Sequence, residues 1–263
     1  MSDGSKIVSK SHQKLSSLNV DDWSYCDFER HALEDDLSMY EKIGFPNEYR
    51  KGKEKVIFND ILSKIDNLKL EEKIVFDIGA GCTDLPKFLI DHCVERDNAL
   101  YLFDNENMLS HLNIGKNVKK VFGEFPNSFE DDLPAFQNSV DVIICYSVIQ
   151  YIYSDGNIWK FIDSCLECLA TGGEFLIGDI PNLSMRKRFF NSETGKQNHR
   201  MYTGKDEDPP LRYNFIEKGK MDDSIIIAII SRARAQGFQA WVVPQNASLP
   251  MANRREDILI KKP

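Results

Sequence analysis

The sequence predicts an α/β protein with a doubly wound, mostly parallel seven-stranded sheet that ends in a C-terminal antiparallel hairpin. Three observations lead to this prediction. Short apolar, β-branched runs alternate with amphipathic helical segments, which is typical of parallel sheets covered by helices. The first run, 74–78, is followed by a glycine turn and a helix, the order in which such a sheet presents a ligand at its carboxyl edge. The last two runs, 238–243 and 257–261, have no helical segment between them, which indicates an antiparallel pair.

Hydrophobic periodicity assigns the elements in chain order. Two helical segments precede the sheet, 28–40 and 50–68, and a Gly-Phe-Pro break at 44–46 separates them. The predicted strands are 74–78, 99–104, 118–122, 140–147, 173–179, 238–243 and 257–261. The helices predicted between them are 83–94, 107–112, 157–170 and 224–236. Residues 182–220 are polar and are predicted to be irregular.

The composition is that of an ordinary soluble globular protein, and it limits the partners. The chain has 263 residues, of which 42% are hydrophobic and 28% charged, and its formal net charge is −8. This acidic balance argues against nonspecific binding to nucleic acid or to an anionic membrane. The basic run Arg186-Lys187-Arg188 is short and is predicted to be a solvated helix face. No apolar run approaches the roughly 20 residues needed to span a bilayer.

The cysteines do not form a recognisable metal motif. Cys165 and Cys168 have CxxC spacing, but they lie in an amphipathic helical segment, and no second pair completes a zinc site. Buried free thiols and the absence of a metal are therefore predicted. The free thiols, together with an N-terminus that lacks an apolar signal core, predict a cytoplasmic protein.

Ligands of such a sheet bind outside the carboxyl ends of its strands, so the residues at those ends are candidates. Asp77, Gly79 and Gly81 end the first strand, and glycine allows close approach of the backbone to a ligand. The free N–H groups of the following helix favour an anionic group such as a carboxylate. Asp104, with Asn105 beside it, ends the second strand. Asp104 is predicted to accept hydrogen bonds from ribose hydroxyls, with a helix N-cap as the alternative.

Three further strand ends carry polar or aromatic residues. Glu124 and Phe125 follow the third strand, where they could receive an adenine ring, or Phe125 could belong to the core. Cys145 ends the fourth strand. Gln150 and Tyr151 follow it, either as ligand contacts or as packing residues.

Two residues are candidates for a general base. Asp179 ends the fifth strand beside the predicted cleft, where it is either a base or a loop-capping carboxylate. His199 lies in the polar segment after that strand and is the second candidate, with a satisfied or exposed structural histidine as the alternative.

Taken together, these residues carry a resemblance to a known family. The stretch 77–83, Asp-Ile-Gly-Ala-Gly-Cys-Thr, resembles motif I of the class I S-adenosylmethionine-dependent methyltransferases. Asp104, Glu124-Phe125 and the segments 139–152 and 169–176 resemble later motifs of that family in order. Thr83 departs from the motif, where a third glycine is common. The NAD-binding pattern fits less well, because it requires glycine at Asp84.

The resemblance implies S-adenosylmethionine as the cofactor and assigns roles to the strand ends. Gly79 and Gly81 would lie against the methionine part, and Asp77 near its amino group. Asp104 would bind the ribose, and Glu124-Phe125 would flank the adenine. The remaining candidates for cofactor contacts are Asn105, Cys145 and Gln150.

The same reading divides the chain into five parts. Residues 1–20 form a mobile N-terminus, 21–70 a helical lid, 71–181 the cofactor-binding core, 182–222 a substrate-pocket insert, and 223–263 the C-terminal helix and hairpin. The predicted partner is a small-molecule acceptor rather than nucleic acid, and the oligomeric state stays open.

The acceptor is the least determined part of the prediction. Segments 49–55 and 249–260 are similar to sequences in bacterial methyltransferases from surface-polysaccharide clusters, which implies a sugar or sugar nucleotide. Alternatives are a natural-product methyltransferase, another enzyme of the fold such as an aminopropyl transferase, and a noncatalytic nucleotide-binding module. The residues predicted to contact the acceptor are Tyr49, Arg50, Tyr151, Tyr202, Arg212, Tyr213 and the neighbouring Asn214.

Overall fold

The structure is a computed structural model, and it describes residues 23–213 and 215–263. The predicted mobile segment 1–20 and the predicted acceptor residue Asn214 therefore lie outside the described residues.

A seven-stranded mixed sheet forms the centre of the protein, as the sequence predicts. Its strand order is β3-β2-β1-β4-β5-β7-β6. The first five strands are parallel, whereas β7 lies between β5 and β6 and is antiparallel to both. The strands are β1 (Ile74–Ile78), β2 (Ala99–Asp104), β3 (Val118–Phe122), β4 (Val140–Tyr146), β5 (Leu169–Pro181), β6 (Gln239–Val243) and β7 (Arg255–Lys261).

Helices precede the sheet and connect its strands. Before the sheet are α1 (Tyr25–His31), α2 (Met39–Lys42), α3 (Asn47–Arg50) and α4 (Glu54–Lys64). The connecting helices are α5 (Asp84–Glu95), α6 (Glu106–Ser110), α7 (Ile149–Asp155), α8 (Ile158–Cys168), α9 (Leu183–Asn191), α10 (Glu193–Thr203) and α11 (Asp223–Ala235). No described helix is long and apolar enough to cross a membrane.

The two faces of the sheet bury separate apolar clusters, because side chains alternate along each strand. Phe76 and Phe103 join one cluster with Phe161 of α8, whereas the neighbouring Val75 and Leu102 join the other. Helix α4 packs in this second cluster through Ile57 and Ile61, among other residues. The part of the predicted lid that contains α4 is therefore a layer of the core, and α1 to α3 remain to cover the cleft.

The prediction that 182–220 is irregular is wrong for its first half, which forms α9 and α10. Each helix begins at a polar N-cap: Asn182 accepts a hydrogen bond from the Met185 backbone N–H, and Ser192 from that of Gly195. Helix α10 ends at Gly204, which has the left-handed conformation φ 66°. These caps define helices that are polar overall. A second difference lies at 50–68, where a turn at 51–53 separates α3 from α4.

Candidate functional site

The glycine turn after β1 is fixed by backbone conformation and by packing. Gly79 and Gly81 have positive φ angles of 74° and 71°, which favour glycine. A Cβ atom on Gly79 would lie 2.4 Å from Cγ2 of Val148, and one on Gly81 would lie 3.0 Å from Cγ2 of Ile43. The backbone of the turn therefore packs closely against the side chains of Val148 and Ile43, which leave little room for a side chain at either glycine.

Asp104 at the end of β2 holds the glycine turn through its carboxylate. One oxygen accepts a hydrogen bond from the Gly81 backbone N–H at 2.8 Å, and the other accepts from the backbone N–H of Asn105 at 2.7 Å. Burial raises the pKa of Asp104 to about 6, although both hydrogen bonds oppose that shift. Asn105 is 2% exposed and caps α6 through the Met108 backbone N–H, so its position suits orienting Asp104.

Asp77 lies within β1, and its side chain is buried. Burial, followed by the nearby negative charge of Asp104, raises the pKa of its carboxyl to about 7. Among residues 23–213 and 215–263, no group donates a hydrogen bond to this carboxyl. A buried acid without a donor favours a cationic partner.

A cavity with an empty volume of about 1070 Å³ opens at this edge of the sheet, and we call it the first cavity. The strand ends contribute Gly79, Gly81, Asp104, Glu124 and Phe125 to its wall. The segment before the sheet covers it with Tyr25, Phe28, Ile43, Phe45 and Arg50. Phe125 packs in the core and also lines the cavity, so the core alternative for that residue is confirmed and its contact with an adenine ring stays a prediction.

Tyr25 presents an unsatisfied polar atom to the first cavity. Its hydroxyl is buried and has no hydrogen-bond partner among the described residues. Burial and the negative charges of Asp104, Glu29 and Glu124 raise the pKa of Tyr25 well above its ordinary value, so the hydroxyl keeps its proton. A buried donor of this kind costs free energy unless a ligand accepts its hydrogen bond.

Arg50, which the sequence predicts as an acceptor contact, is buried in the wall of the first cavity. Its guanidinium lies 4.2 Å from the centre of the Phe45 ring and donates hydrogen bonds to the Ser147 hydroxyl and to Asp179. Ser147 and Asp179 both have positive φ angles, 63° and 57°, which are rare for residues other than glycine. The ends of β4 and β5 are thus held in strained conformations around one guanidinium.

Asp179 lies in a buried ionic network and lines neither cavity. Its Oδ2 accepts hydrogen bonds from Ser147 at 2.5 Å, from Arg255 at 2.8 Å and from Arg50, and its Oδ1 accepts one from Nε2 of Gln245 at 3.3 Å. A general base needs a lone pair that reaches the acceptor, and these donors occupy the carboxylate. The geometry therefore favours positioning of Arg50 over proton transfer for this residue. Cys145, another predicted contact, is buried in the core and lines neither cavity.

A larger cavity, with an empty volume of about 2420 Å³, adjoins the first and is called the second cavity here. The two share Phe45 and Tyr151 as lining residues. Gln150 also lines the second cavity; its Nε2 donates to the Ser147 carbonyl, and its buried Oε1 has no partner among the described residues. Gln150 therefore presents a hydrogen-bond acceptor at the second cavity, although the sequence placed it at the cofactor.

The structure separates the predicted acceptor contacts into two groups. Tyr49, His199 and Tyr202 line the second cavity together with Tyr151. Arg212 and Tyr213 do not line it: the Arg212 guanidinium lies over the Phe215 ring, and the Tyr213 hydroxyl donates to the Lys187 carbonyl.

Phe45, Arg186 and Arg254 are lining residues that the sequence does not assign to the site. Phe45 belongs to the covering segment, and no local motif marks it. Arg186 and Arg254 line the second cavity from α9 and from the loop before β7. The basic run that contains Arg186 is short, which favours a solvated face in the sequence and does not show that one of its cations lines a cavity.

No described cluster of three or more His, Cys, Asp or Glu could hold a metal ion. The first cavity instead offers what a nucleoside with an amino-acid side arm requires. Asp104 and Glu124 can accept hydrogen bonds, Phe125 provides an aromatic face, and Arg50 provides a cation. The donor left free on Tyr25 fits the same ligand. The described residues therefore fit S-adenosylmethionine.

Comparison with known proteins identifies the fold. Neither a protein-family model nor a curated protein matches the chain. The plantazolicin methyltransferase BpumL, in complex with SAH, has a TM-score of 0.54 at 12% identity, over 97% of this chain and 100% of that chain. A possible exported protein from Bordetella parapertussis gives 0.52 at 9% identity, over 92% and 80%. The N-methyltransferase NodS from Bradyrhizobium japonicum WM9, in complex with SAH, gives 0.49 at 13% identity, over 91% and 98%.

At these identities the likeness concerns the fold alone. The strand order, the antiparallel β7 and the match to BpumL agree with one another. The chain therefore has the α/β fold of the class I S-adenosylmethionine-dependent methyltransferases.

Proposed function

We propose that the chain transfers a methyl group from S-adenosylmethionine to an oxygen or nitrogen of a small polar acceptor. The observation that carries this proposal is the pair of adjoining cavities that share Phe45 and Tyr151. A transferase for two small molecules needs such an arrangement, because donor and acceptor must meet while each keeps its own binding site.

In this proposal the first cavity holds the cofactor. Asp104 binds the ribose, Glu124 and Phe125 flank the adenine, and Arg50 pairs with the carboxylate of the methionine part. Asp77 lines neither cavity, and in this proposal it acts on the amino end through its negative charge. When bound, S-adenosylmethionine supplies an activated methyl group, so the reaction needs no metal.

The protein contributes alignment and exclusion of water. Phe28 packs edge to face on Tyr151, with ring centres 4.8 Å apart, and both residues line the first cavity. Apolar walls of this kind exclude water from the reacting groups. The free Oε1 of Gln150 can accept a hydrogen bond from the hydroxyl or amine of the acceptor and so orient it. For a hydroxyl acceptor, His199 is the base candidate that lines the second cavity.

Within this proposal the acceptor is a sugar or sugar nucleotide of a bacterial glycan pathway in the cytoplasm. The sequence similarity of 49–55 and 249–260 supports it, as do the aromatic side chains of Tyr49 and Tyr202 at the second cavity. Two alternatives fit less well. A noncatalytic module has no use for a second cavity. An aminopropyl transferase uses a decarboxylated cofactor, which lacks the carboxylate that Arg50 would bind in addition to Asp179.

Calorimetric titration with S-adenosylmethionine and S-adenosylhomocysteine tests the cofactor part of the proposal. We expect both to bind and the decarboxylated cofactor to bind about tenfold more weakly or worse, because a charge-assisted pair is worth roughly 1.5–3 kcal/mol. Absence of binding by all three would overturn the proposal. Stronger binding of the decarboxylated cofactor would favour the aminopropyl alternative.

The variant Tyr25→Phe provides a sharper test. Because the hydroxyl has no partner among the residues that the structure describes, its removal should leave the ligand-free protein as stable or more stable, while S-adenosylhomocysteine affinity falls. Tyr101→Phe is the matched control, since Tyr101 lies outside both cavities. Equal affinity of both variants and the wild type would exclude a hydrogen bond from Tyr25. Methyl-transfer assays on sugars, nucleotide sugars and small phenols then identify the acceptor.

A further inference from the structure

The basic run at 186–188 divides into three residues with different surroundings. Lys187 forms an ion pair with Glu217 at 3.5 Å, and Arg188 forms one with Asp223 at 2.5 Å. Arg186 lines the second cavity. One cation of the run is therefore directed to the cavity, while its two neighbours are neutralised by nearby carboxylates.

Arg186 meets a second arginine in the second cavity. Arg186 and Arg254 lie over the same Phe190 ring, with their guanidinium carbons 5.5 and 5.8 Å from its centre. Burial is the main cause of a lowered pKa of Arg254, and the positive charges of Arg186 and Arg255 act in the same direction. Tyr49 acts in the opposite direction on the pKa of Arg254. The two guanidinium groups thus share one aromatic ring at the wall of the second cavity.

The wall of the second cavity is basic, although the chain as a whole carries a formal charge of −8. Its described lining contains Arg186, Lys220, Arg254 and Arg255 against one acidic residue, Glu217. Arg255 is paired with Asp179 and Glu217 with Lys187, so Arg186 and Arg254 contribute most to the field. Concentrated positive charge in a concave surface attracts and retains anions.

We propose that Arg186 and Arg254 bind a phosphate ester of the acceptor in the second cavity. This inference rests on the proposed function and adds a requirement to it: the methyl acceptor is phosphorylated, as a sugar phosphate or a nucleotide sugar is. Two adjacent guanidinium groups match a phosphate dianion or a diphosphate better than a single carboxylate, since each guanidinium can donate a pair of hydrogen bonds.

The surroundings of the arginines suit the remainder of such an acceptor. Aromatic side chains of Tyr49, Phe189 and Tyr202 line the same cavity and offer faces to the CH groups of a sugar or to a base. Phe45 and Tyr151 lie where the two cavities meet. An acceptor anchored through its phosphate at Arg186 and Arg254 can therefore direct a hydroxyl or amine toward the first cavity.

Calorimetric titration of the full chain with inorganic pyrophosphate, with and without saturating S-adenosylhomocysteine, tests the anion site. We expect pyrophosphate to bind and Arg186→Gln and Arg254→Gln each to weaken binding by about ten- to a hundredfold, as expected for charge-assisted hydrogen bonds. Arg188→Gln is the matched control, because it removes the same charge from the same helix outside the cavity, and it should leave binding unchanged. If Arg188→Gln weakened pyrophosphate binding as much as the other two variants do, or if those two left it unchanged, the inference would be overturned.

The same variants separate this inference from the function on which it rests. S-adenosylhomocysteine should bind Arg186→Gln and Arg254→Gln as it binds the wild type, and pyrophosphate should not displace it. Normal S-adenosylhomocysteine binding without a pyrophosphate site refutes the inference alone, whereas absent S-adenosylhomocysteine binding refutes the proposed function. Displacement would show that pyrophosphate occupies the first cavity, which also overturns the inference.

Matched acceptors complete the test. Methyl transfer should occur with sugar phosphates or nucleotide sugars and fall at least about tenfold with the corresponding free sugars or with carboxylate analogues such as uronic acids. The loss in the Arg254→Gln variant should appear mainly as a raised KM for phosphorylated acceptors. Equal or faster turnover of unphosphorylated acceptors refutes the requirement for phosphate.

Discussion

The buried carboxyl of Asp77 makes the stability of the protein depend on pH. Its pKa is raised from 3.8 to about 7, first by burial and then by the charge of Asp104. Below 3.8 the carboxyl is neutral in both the folded and the unfolded state, and the protein retains its full stability. Because the unfolded chain ionises at the lower value, this stability is lost as pH rises from 3.8 through about 7.

The substitution Asp77→Asn keeps the shape of the side chain and removes the ionisation. A shift from 3.8 to about 7, at roughly 1.4 kcal/mol per unit, makes the ionised carboxyl cost about 4 kcal/mol at pH 8. At pH 5 the linkage relation gives a cost of about 1.5 kcal/mol, because the folded protein still holds the proton. The stability of the variant relative to the wild type should therefore rise by roughly 2.5 kcal/mol between pH 5 and pH 8.

Urea unfolding at the two pH values measures this difference directly, provided that the m-value is unchanged. Asp163→Asn is the control. Its hydrogen bonds with Arg232 lower the pKa of Asp163 below its ordinary 3.8, so its effect should be the same at pH 5 and pH 8. If Asp77→Asn behaved like the control, the carboxyl of Asp77 would ionise normally in the folded state and the reasoning would be refuted.

Three further predictions concern the site. Asp104→Ala should lower S-adenosylhomocysteine affinity by about tenfold or more, and unchanged affinity in calorimetry would exclude Asp104 as the ribose ligand. For a hydroxyl acceptor, His199→Gln should lower kcat with cofactor affinity preserved. Asp179→Asn should instead lower thermal stability and cofactor affinity together. If Asp179→Asn lowered kcat alone and His199→Gln did not, Asp179 would be the base. Deletion of residues 1–45 should leave a folded sheet by circular dichroism and abolish cofactor retention, and full activity in that truncation would show that the segment is no lid.

The core of the fold follows from local sequence, whereas the insert does not. Strands β1, β2, β4 and β5 contain apolar runs that end near their predicted residues, because burial on both faces imposes a continuous apolar pattern, whereas the edge strand β3 contains Lys119 and Lys120. Helices α9 and α10 are polar on most of their surface, and their limits depend on the caps Asn182 and Ser192. Single capping residues occur in many turns, so they do not define a helix without its tertiary contacts.

The candidate site was predictable where it lies at strand ends and unpredictable where it depends on distant partners. Asp104 and Glu124 line the first cavity because the ends of parallel strands meet at one edge of the sheet. Asp179 was placed at the correct edge, but its carboxylate is occupied by Arg50 and Arg255, which are 129 and 76 residues away in the chain. No local pattern contains such pairings, so its chemistry could not be inferred from its position.

The edge that carries the first cavity combines raised pKa values with positive φ angles. Asp77 and Asp104 have raised pKa values there, and Ser147 and Asp179 adopt positive φ angles at the ends of β4 and β5. Each feature costs stability in the ligand-free protein. A ligand that brings an amine to Asp77 and an acceptor atom to the hydroxyl of Tyr25 offsets those costs, because it favours the ionised acid and satisfies the free donor. S-adenosylhomocysteine should consequently raise the melting temperature of the wild type more at pH 7.5 than at pH 5.5, and this pH dependence should be smaller in Asp77→Asn, where Asp104, with a pKa of about 6, still titrates in that range. A neutral ligand with a ribose but no amine should give the same smaller pH dependence in both proteins, which separates the charge on Asp77 from that on Asp104.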